Sequence, residues 1–129
     1  MSKNHFLKRF IHSVITQDEA HLKTFFQPEA KIIWPCTSET MTLTEYLSAN
    51  CRYPGDWSGQ IIKGTWQNDQ LIAVSKIWSQ ETAYYVTSFF TIKAGKIIRL
   101  EEYWADISSP PQWRIDLLKH ETNENKSGH

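Results

Sequence analysis

The sequence predicts an α+β fold in which about three N-terminal helices pack on a strongly curved, mainly antiparallel sheet. Three observations carry this. Helical-period apolar stripes are confined to the first half of the chain, up to about Cys51. From Trp57 onward the pattern is long runs of β-branched and aromatic residues joined by short turns. The chain also holds 6 Trp, 6 Phe and 5 Tyr in 129 residues, more bulk than a small core tiles completely, and this points to an aromatic-lined pocket.

Phe6, Leu7, Phe10, Ile11, Val14 and Ile15 form one helical stripe, opposite Lys8, Arg9, His12 and Ser13. Thr16-Gln-Asp-Glu19 has the form of a capping box and predicts a short second helix burying Leu22, Phe25 and Phe26, closed by Pro28. Lys31 to Trp34 reads as a strand stopped by Pro35. Thr42-Leu-Thr-Glu45 is a second capping box, opening a helix through Tyr46, Leu47 and Asn50 that Tyr53-Pro-Gly-Asp56 breaks. Four strands follow: Ser58–Gln67, Leu71–Ser79, Ala83–Ile92 and Lys96–Trp104. Their turns, at Asn68-Asp69 and Ala94-Gly95 among them, are too short for parallel crossovers, so the strands form an antiparallel meander. Helices first and strands second place the helices on one sheet face. Ser108 to Arg114 reads as a loop closing onto the body through Trp113. The expected domain is 1–114, and 115–129 is a polar, partly disordered tail.

Composition excludes several classes. Lys+Arg 14 balances Asp+Glu 14, so no net basic field draws nucleic acid or an anionic membrane surface. No apolar run approaches the roughly 20 residues of a membrane span. Met1 to His5 shows no charged-then-apolar leader pattern, so the expectation is a cytoplasmic protein with free thiols at Cys36 and Cys51. No His/Cys/Asp/Glu group has metal-ligand spacing, and no phosphate loop or nucleophile elbow is present; no metal or cofactor is expected. His5, His12 and His21 fall on polar helix positions and His120 and His129 in the tail, which suits solvated histidines better than proton shuttles.

The element order, together with Phe89-Phe-Thr-Ile-Lys-Ala-Gly95-Lys-Ile97, Glu102-Tyr-Trp-Ala-Asp106 and Asp18-Glu-Ala…Phe25-Phe-Gln-Pro-Glu-Ala30, resembles the SnoaL-like branch of the nuclear-transport-factor-2-like superfamily. The resemblance covers roughly residues 3 to 114 and implies a cystatin-like cone. It leaves function open, because this fold hosts isomerases, cyclases, dehydratases, epoxide hydrolases and non-catalytic binding modules. Ketosteroid isomerases of the superfamily use a Tyr and two Asp residues, and the matching positions here hold Phe10, Trp34 and Ser88. Without a carboxylate base and acidic donors there, that chemistry has no carrier. SnoaL-like cyclases place an acid late in the sheet with a His nearby. The candidates here are Glu101, Glu102 and Asp106, with no His on these strands.

Glu102 is the acid of most interest. Period two puts Ile98, Leu100, Glu102, Trp104 and Asp106 on the more apolar face, where burial would raise its pKa toward general acid/base use. A structural ion pair or a register slip would give it an ordinary role. Trp34, Tyr46, Trp57, Trp66, Phe90 and Trp104 are candidates for the cavity wall, and any one of them could instead be plain core. Asn50 and Ser88 supply polar points, Arg114 could close the mouth or lie on the surface, and Cys36 follows the first strand closely enough to border the cavity. Tyr85, Thr87, Phe89 and Thr91 alternate with Tyr84, Val86, Ser88, Phe90 and Ile92, so both sheet faces are apolar and the outer one calls for a homodimer partner. The leading expectation is a small-molecule-binding domain for an apolar or ring-containing ligand. The alternative is a cofactor-independent lyase, isomerase or cyclase using Glu102 as general acid/base.

Overall fold

The computed structural model describes residues 2–127, with side chains from 2 to 119. Its helices are α1 (Lys3–Ile15), α2 (Glu19–Lys23), α3 (Leu43–Cys51) and α4 (Gln112–Ser127). Its strands are β1 (Phe26–Trp34), β2 (Glu39–Thr42), β3 (Ser58–Gln67), β4 (Gln70–Trp78), β5 (Ala83–Lys93) and β6 (Lys96–Asp106). They form one sheet in the order β2-β1-β6-β5-β4-β3. The β3-to-β6 meander is antiparallel throughout, β1 runs parallel to β6, and β2 folds back antiparallel on β1. The result is the expected α+β cone with a curved, mainly antiparallel sheet.

Sequence explains the main contacts. Helix α1 buries Phe6, Leu7 and Phe10, and it lies close on β3 because glycine makes room. A Cβ at Gly59 would stand 2.9 Å from the side chains of Ile11 and Ile15, and one at Gly64 would stand 2.7 Å from Leu7. Phe10 meets Phe90 edge-on at 5.1 Å and Phe25 at 5.5 Å, so aromatic packing fills the core between α1 and the sheet. Both bonds of the expected capping box of α3 are made: Glu45 N donates to Thr42 Oγ1 at 3.3 Å, and Thr42 N donates to Glu45 Oε1 at 2.9 Å. The tight β5–β6 turn uses positive φ at both Ala94 and Gly95.

Four expectations need correction. Thr16 does not cap α2; it ends α1, its hydroxyl donating to His12 O at 2.6 Å, and Asp18 is the N-cap, accepting from His21 N at 3.1 Å. Pro28 does not close that helix: Phe26 already belongs to β1, whose pairing to β6 shifts register between Phe26 and Lys31. A proline in a strand is tolerated at such an irregularity because no ladder N–H is required of it. On β6 the period-two face breaks at Ile98, since Thr91 pairs with Arg99 but Ile92 pairs with Ile97. The extra residue is a bulge, and Ile97 rather than Ile98 takes the buried place. Finally, Trp113 does not close onto the body. It is 65% exposed on α4, which starts at Gln112 with Arg114 N and Ile115 N both donating to Pro111 O. Part of the stretch read as a polar tail therefore continues a helix to Ser127, while 128–129 and the side chains from 120 lie outside the described residues.

Cys36 and Cys51 are both free thiols. No described helix is long and apolar enough to cross a membrane. On β5, Val86, Ser88 and Phe90 are buried inward, while the outer face leaves Tyr85 42% exposed and Tyr103 of β6 40% exposed.

Candidate functional site

The sheet and helices enclose two adjoining spaces that share Val14, Asn50, Ile77 and Trp104. The larger is an open cavity of about 450 Å³. Its wall is a continuous run of rings. Tyr53 meets Trp57 at 5.5 Å, Trp57 meets Tyr84 at 6.2 Å, Tyr84 meets Trp104 at 6.0 Å, and Trp104 meets Trp34 at 6.1 Å. The end of β1 supplies Trp34, the break after α3 supplies Tyr53 and Trp57, and the paired strands β5 and β6 supply Tyr84 and Trp104. Cys36 borders this space, as expected.

Polar ties hold the helical side of the wall. Gln17, at positive φ between α1 and α2, donates through Nε2 to the carbonyls of Asn50 and Tyr53. Asn50 Nδ2 in turn donates to Val14 O at 3.2 Å. These bonds lock the C-terminal ends of α1 and α3 together where both face the cavity. The neighbouring Tyr84 phenol pushes the Tyr53 pKa up, and burial and the Asp106 charge add to the rise.

Behind this wall lies a space of about 20 Å³, lined by Tyr46, Ser88, Phe90 and Glu102 among others. That is room for about one water molecule. Glu102 is 4% exposed, so the expected inward register holds at this residue. Its Oε1 accepts from Trp34 Nε1 at 3.2 Å and its Oε2 from Ser88 Oγ at 2.6 Å. Burial pushes the carboxyl above its ordinary value, and the bonds from Ser88 and Trp34 hold part of that rise back. Burial also drives the Tyr46 phenol well up, with the Glu102 charge adding to it. Trp104 borders both spaces, and its Nε1 is a buried donor with no partner among the described residues.

The residues expected at the site therefore divide into three groups. Trp34, Asn50, Trp57 and Trp104 line the open cavity. Tyr46, Ser88, Phe90 and Glu102 lie one layer deeper, around the small space. Trp66 and Arg114 are in neither. Trp66 stands at the far end of β3 from the cavity, eight residues past Ser58 or roughly 26 Å at about 3.3 Å per residue. It is 44% exposed there. Arg114 sits on α4 with its guanidinium 5.6 Å from the exposed Trp113 ring. Sequence reasoning passed over Gln17, Glu39, Tyr53 and Tyr84 as wall residues. Tyr84 was readable, because it shares the alternation of Val86, Ser88 and Phe90. Tyr53 was not, since it belongs to an irregular break whose path no periodicity fixes. Among the described residues no three His, Cys, Asp or Glu side chains converge to hold a metal ion.

No protein-family model matches the sequence, and no curated protein matches it. Solved structures do. A candidate ketosteroid isomerase from Kribbella flavida is 18% identical with a TM-score of 0.72, covering 81% of this chain and 78% of its own. An NTF-2 like protein of unknown function from Burkholderia xenovorans is 16% identical with a TM-score of 0.74, covering 88% and 90%. A candidate SnoaL-like polyketide cyclase from Shewanella putrefaciens is 9% identical with a TM-score of 0.64, covering 81% and 80%. These define the class: a cone-shaped α+β fold of the NTF2-like type, shared with SnoaL-like and ketosteroid isomerase-like proteins.

Proposed function

We propose that this chain is a small-molecule-binding domain whose open aromatic cavity takes an apolar or ring-containing ligand. The observation that carries this is the separation of cavity from acid. About 450 Å³ of space, within the ~300–1,000 Å³ usual for ligand sites, is walled by five rings, while Glu102 lies behind Trp34 and Trp104. The rings supply contact area at little entropic cost, and Asn50 and Gln17 supply fixed polar points. The test is a thermal-shift screen against ring-containing compounds with wild type and Trp57→Ala. At least one compound should raise the wild-type midpoint and lose most of that effect in the variant. If none does at millimolar concentration, the reading is wrong.

One observation favours a second reading, a cofactor-independent lyase, isomerase or cyclase using Glu102. A buried carboxyl raised above its ordinary value and flanked by two hydrogen-bonding groups is suited to general acid/base work. It would require the Trp34 and Trp104 rings to part when substrate binds. Turnover of any cavity ligand that survives Glu102→Gln unchanged would remove this reading. On the outer sheet face, Tyr85, Phe89 and Tyr103 form an apolar patch that suits a homodimer partner.

A further inference from the structure

We infer that the open cavity selects a ligand carrying an organic cation, a substituted ammonium group held among the Trp57, Tyr84 and Trp104 rings with Asp106 and Glu39 as its counter-charges. The inference rests on the cavity being a ligand site and names the chemistry of its occupant.

The composition of the lining carries it. Ring faces from Tyr53, Trp57, Tyr84, Trp104 and Trp34 follow one another at centroid spacings between 5.5 and 6.2 Å. Two of these pairs meet edge-on and two are tilted, so the rings differ in orientation around one space, and a lining this rich in rings offers the π surface used in quaternary and tertiary ammonium recognition. Glu39 and Asp106 are the ionisable acids of that lining, and no Lys, Arg or His belongs to it. Each is fixed beside a ring: Asp106 pairs across the sheet with Tyr84, and Glu39 pairs with Trp34. Thr37 Oγ1 donates to Glu39 Oε1 at 2.6 Å, which orients that carboxylate without neutralising it. Among the described residues the only ion pair is Arg99–Glu101, which involves neither acid.

Alternative occupants fit less well. A ring-bearing carboxylate or phosphate would meet two like charges and no cation, a juxtaposition that disfavours binding. A purely hydrocarbon ligand would leave both carboxylates without a role and would add to their desolvation. A methylated ammonium satisfies both halves of the lining at once. Its charge is spread over weakly hydrated methyl groups that tolerate ring faces, and the rim carboxylates answer the net charge.

The experiment is isothermal titration of the full chain with phenyltrimethylammonium and with tert-butylbenzene, its neutral isostere, and with benzoate. The ammonium compound should bind about tenfold or more tighter than tert-butylbenzene, the scale of a partly desolvated cation–π site. The double variant Glu39→Gln, Asp106→Asn should lose most of that preference while keeping its affinity for tert-butylbenzene. Equal or tighter binding of tert-butylbenzene, or tightest binding of benzoate, would overturn the cation assignment and leave the cavity a ligand site. Absence of binding by all three would overturn both.

Discussion

The indole N–H of Trp34 donates to Oε1 of Glu102 at 3.2 Å, joining the end of β1 to the middle of β6. Ser88 holds the other carboxylate oxygen from β5. Both partners are hydrogen-bond donors, one from each strand flanking β6. The carboxyl is thus removed from the open cavity and built into the floor beneath it.

That placement fixes a pH signature. Burial raises the folded carboxyl above its ordinary value of 4.5. Between the unfolded and folded values the native state therefore retains a proton that the unfolded chain has released. The contribution of this group to stability is complete below the unfolded value, falls as pH rises through that window, and is level above it. Glu102→Gln should abolish the fall. At about pH 8 the variant should be more stable than wild type by on the order of 1 kcal/mol, with the gap closing by about pH 4. Urea unfolding at both pH values measures this. A variant that is less stable at the higher pH would show instead that the charged form is well satisfied by Trp34 and Ser88.

Ser88→Ala tests the same cluster from the other side. It removes the donor at 2.6 Å and leaves a buried carboxylate oxygen unpaired. Above the folded pKa of Glu102 this should cost about 1–3 kcal/mol. At low pH, where the carboxyl is neutral, the loss should be smaller. Chemical denaturation across the pH range distinguishes this from simple loss of packing, which would not vary with pH.

The outer sheet face gives a prediction about assembly. Tyr85 and Tyr103 are each at least 40% exposed, beside the Phe89 ring that meets Tyr103 at 6.0 Å. A homodimer through this face should run at twice the 15.1 kDa chain mass by light scattering at micromolar concentration. Tyr85→Glu with Tyr103→Glu should return it to the monomer mass, because like charges would face each other across a two-fold contact. A wild-type monomer would set the dimer aside.

The meander, the α3 capping box and the inward parity of Leu100 and Glu102 were legible because each rests on local periodicity or a short spacing. What escaped was set by tertiary contact. Strand β2 is only four residues long, Glu39–Thr42, and its pairing to β1 leaves no periodic trace. The bulge at Ile98 shifts one residue without a glycine to mark it. Trp66 has the same inward parity as its partner Leu71, but parity does not say which end of a strand lies under the cavity. Composition pointed to an aromatic wall. Which rings form it depends on where the strands lie in the cone.

Thr42-Leu-Thr-Glu45 and Thr16-Gln-Asp-Glu19 look alike, yet only the first forms the reciprocal cap. Hydrogen bonds with Thr42 hold the Glu45 carboxyl below its ordinary range, as expected of an acid in a helix's first turn. Thr42→Ala should therefore lower stability by about 1 kcal/mol in urea unfolding. Thr16 makes a local bond back to His12 O at the exposed end of α1, so Thr16→Ala should change stability by less than about 0.5 kcal/mol. For α2 the larger effect should come from Asp18→Ala, since Asp18 Oδ1 is the acceptor for His21 N. Equal losses from Thr16→Ala and Thr42→Ala would mean that the Thr16 segment caps α2 in solution after all.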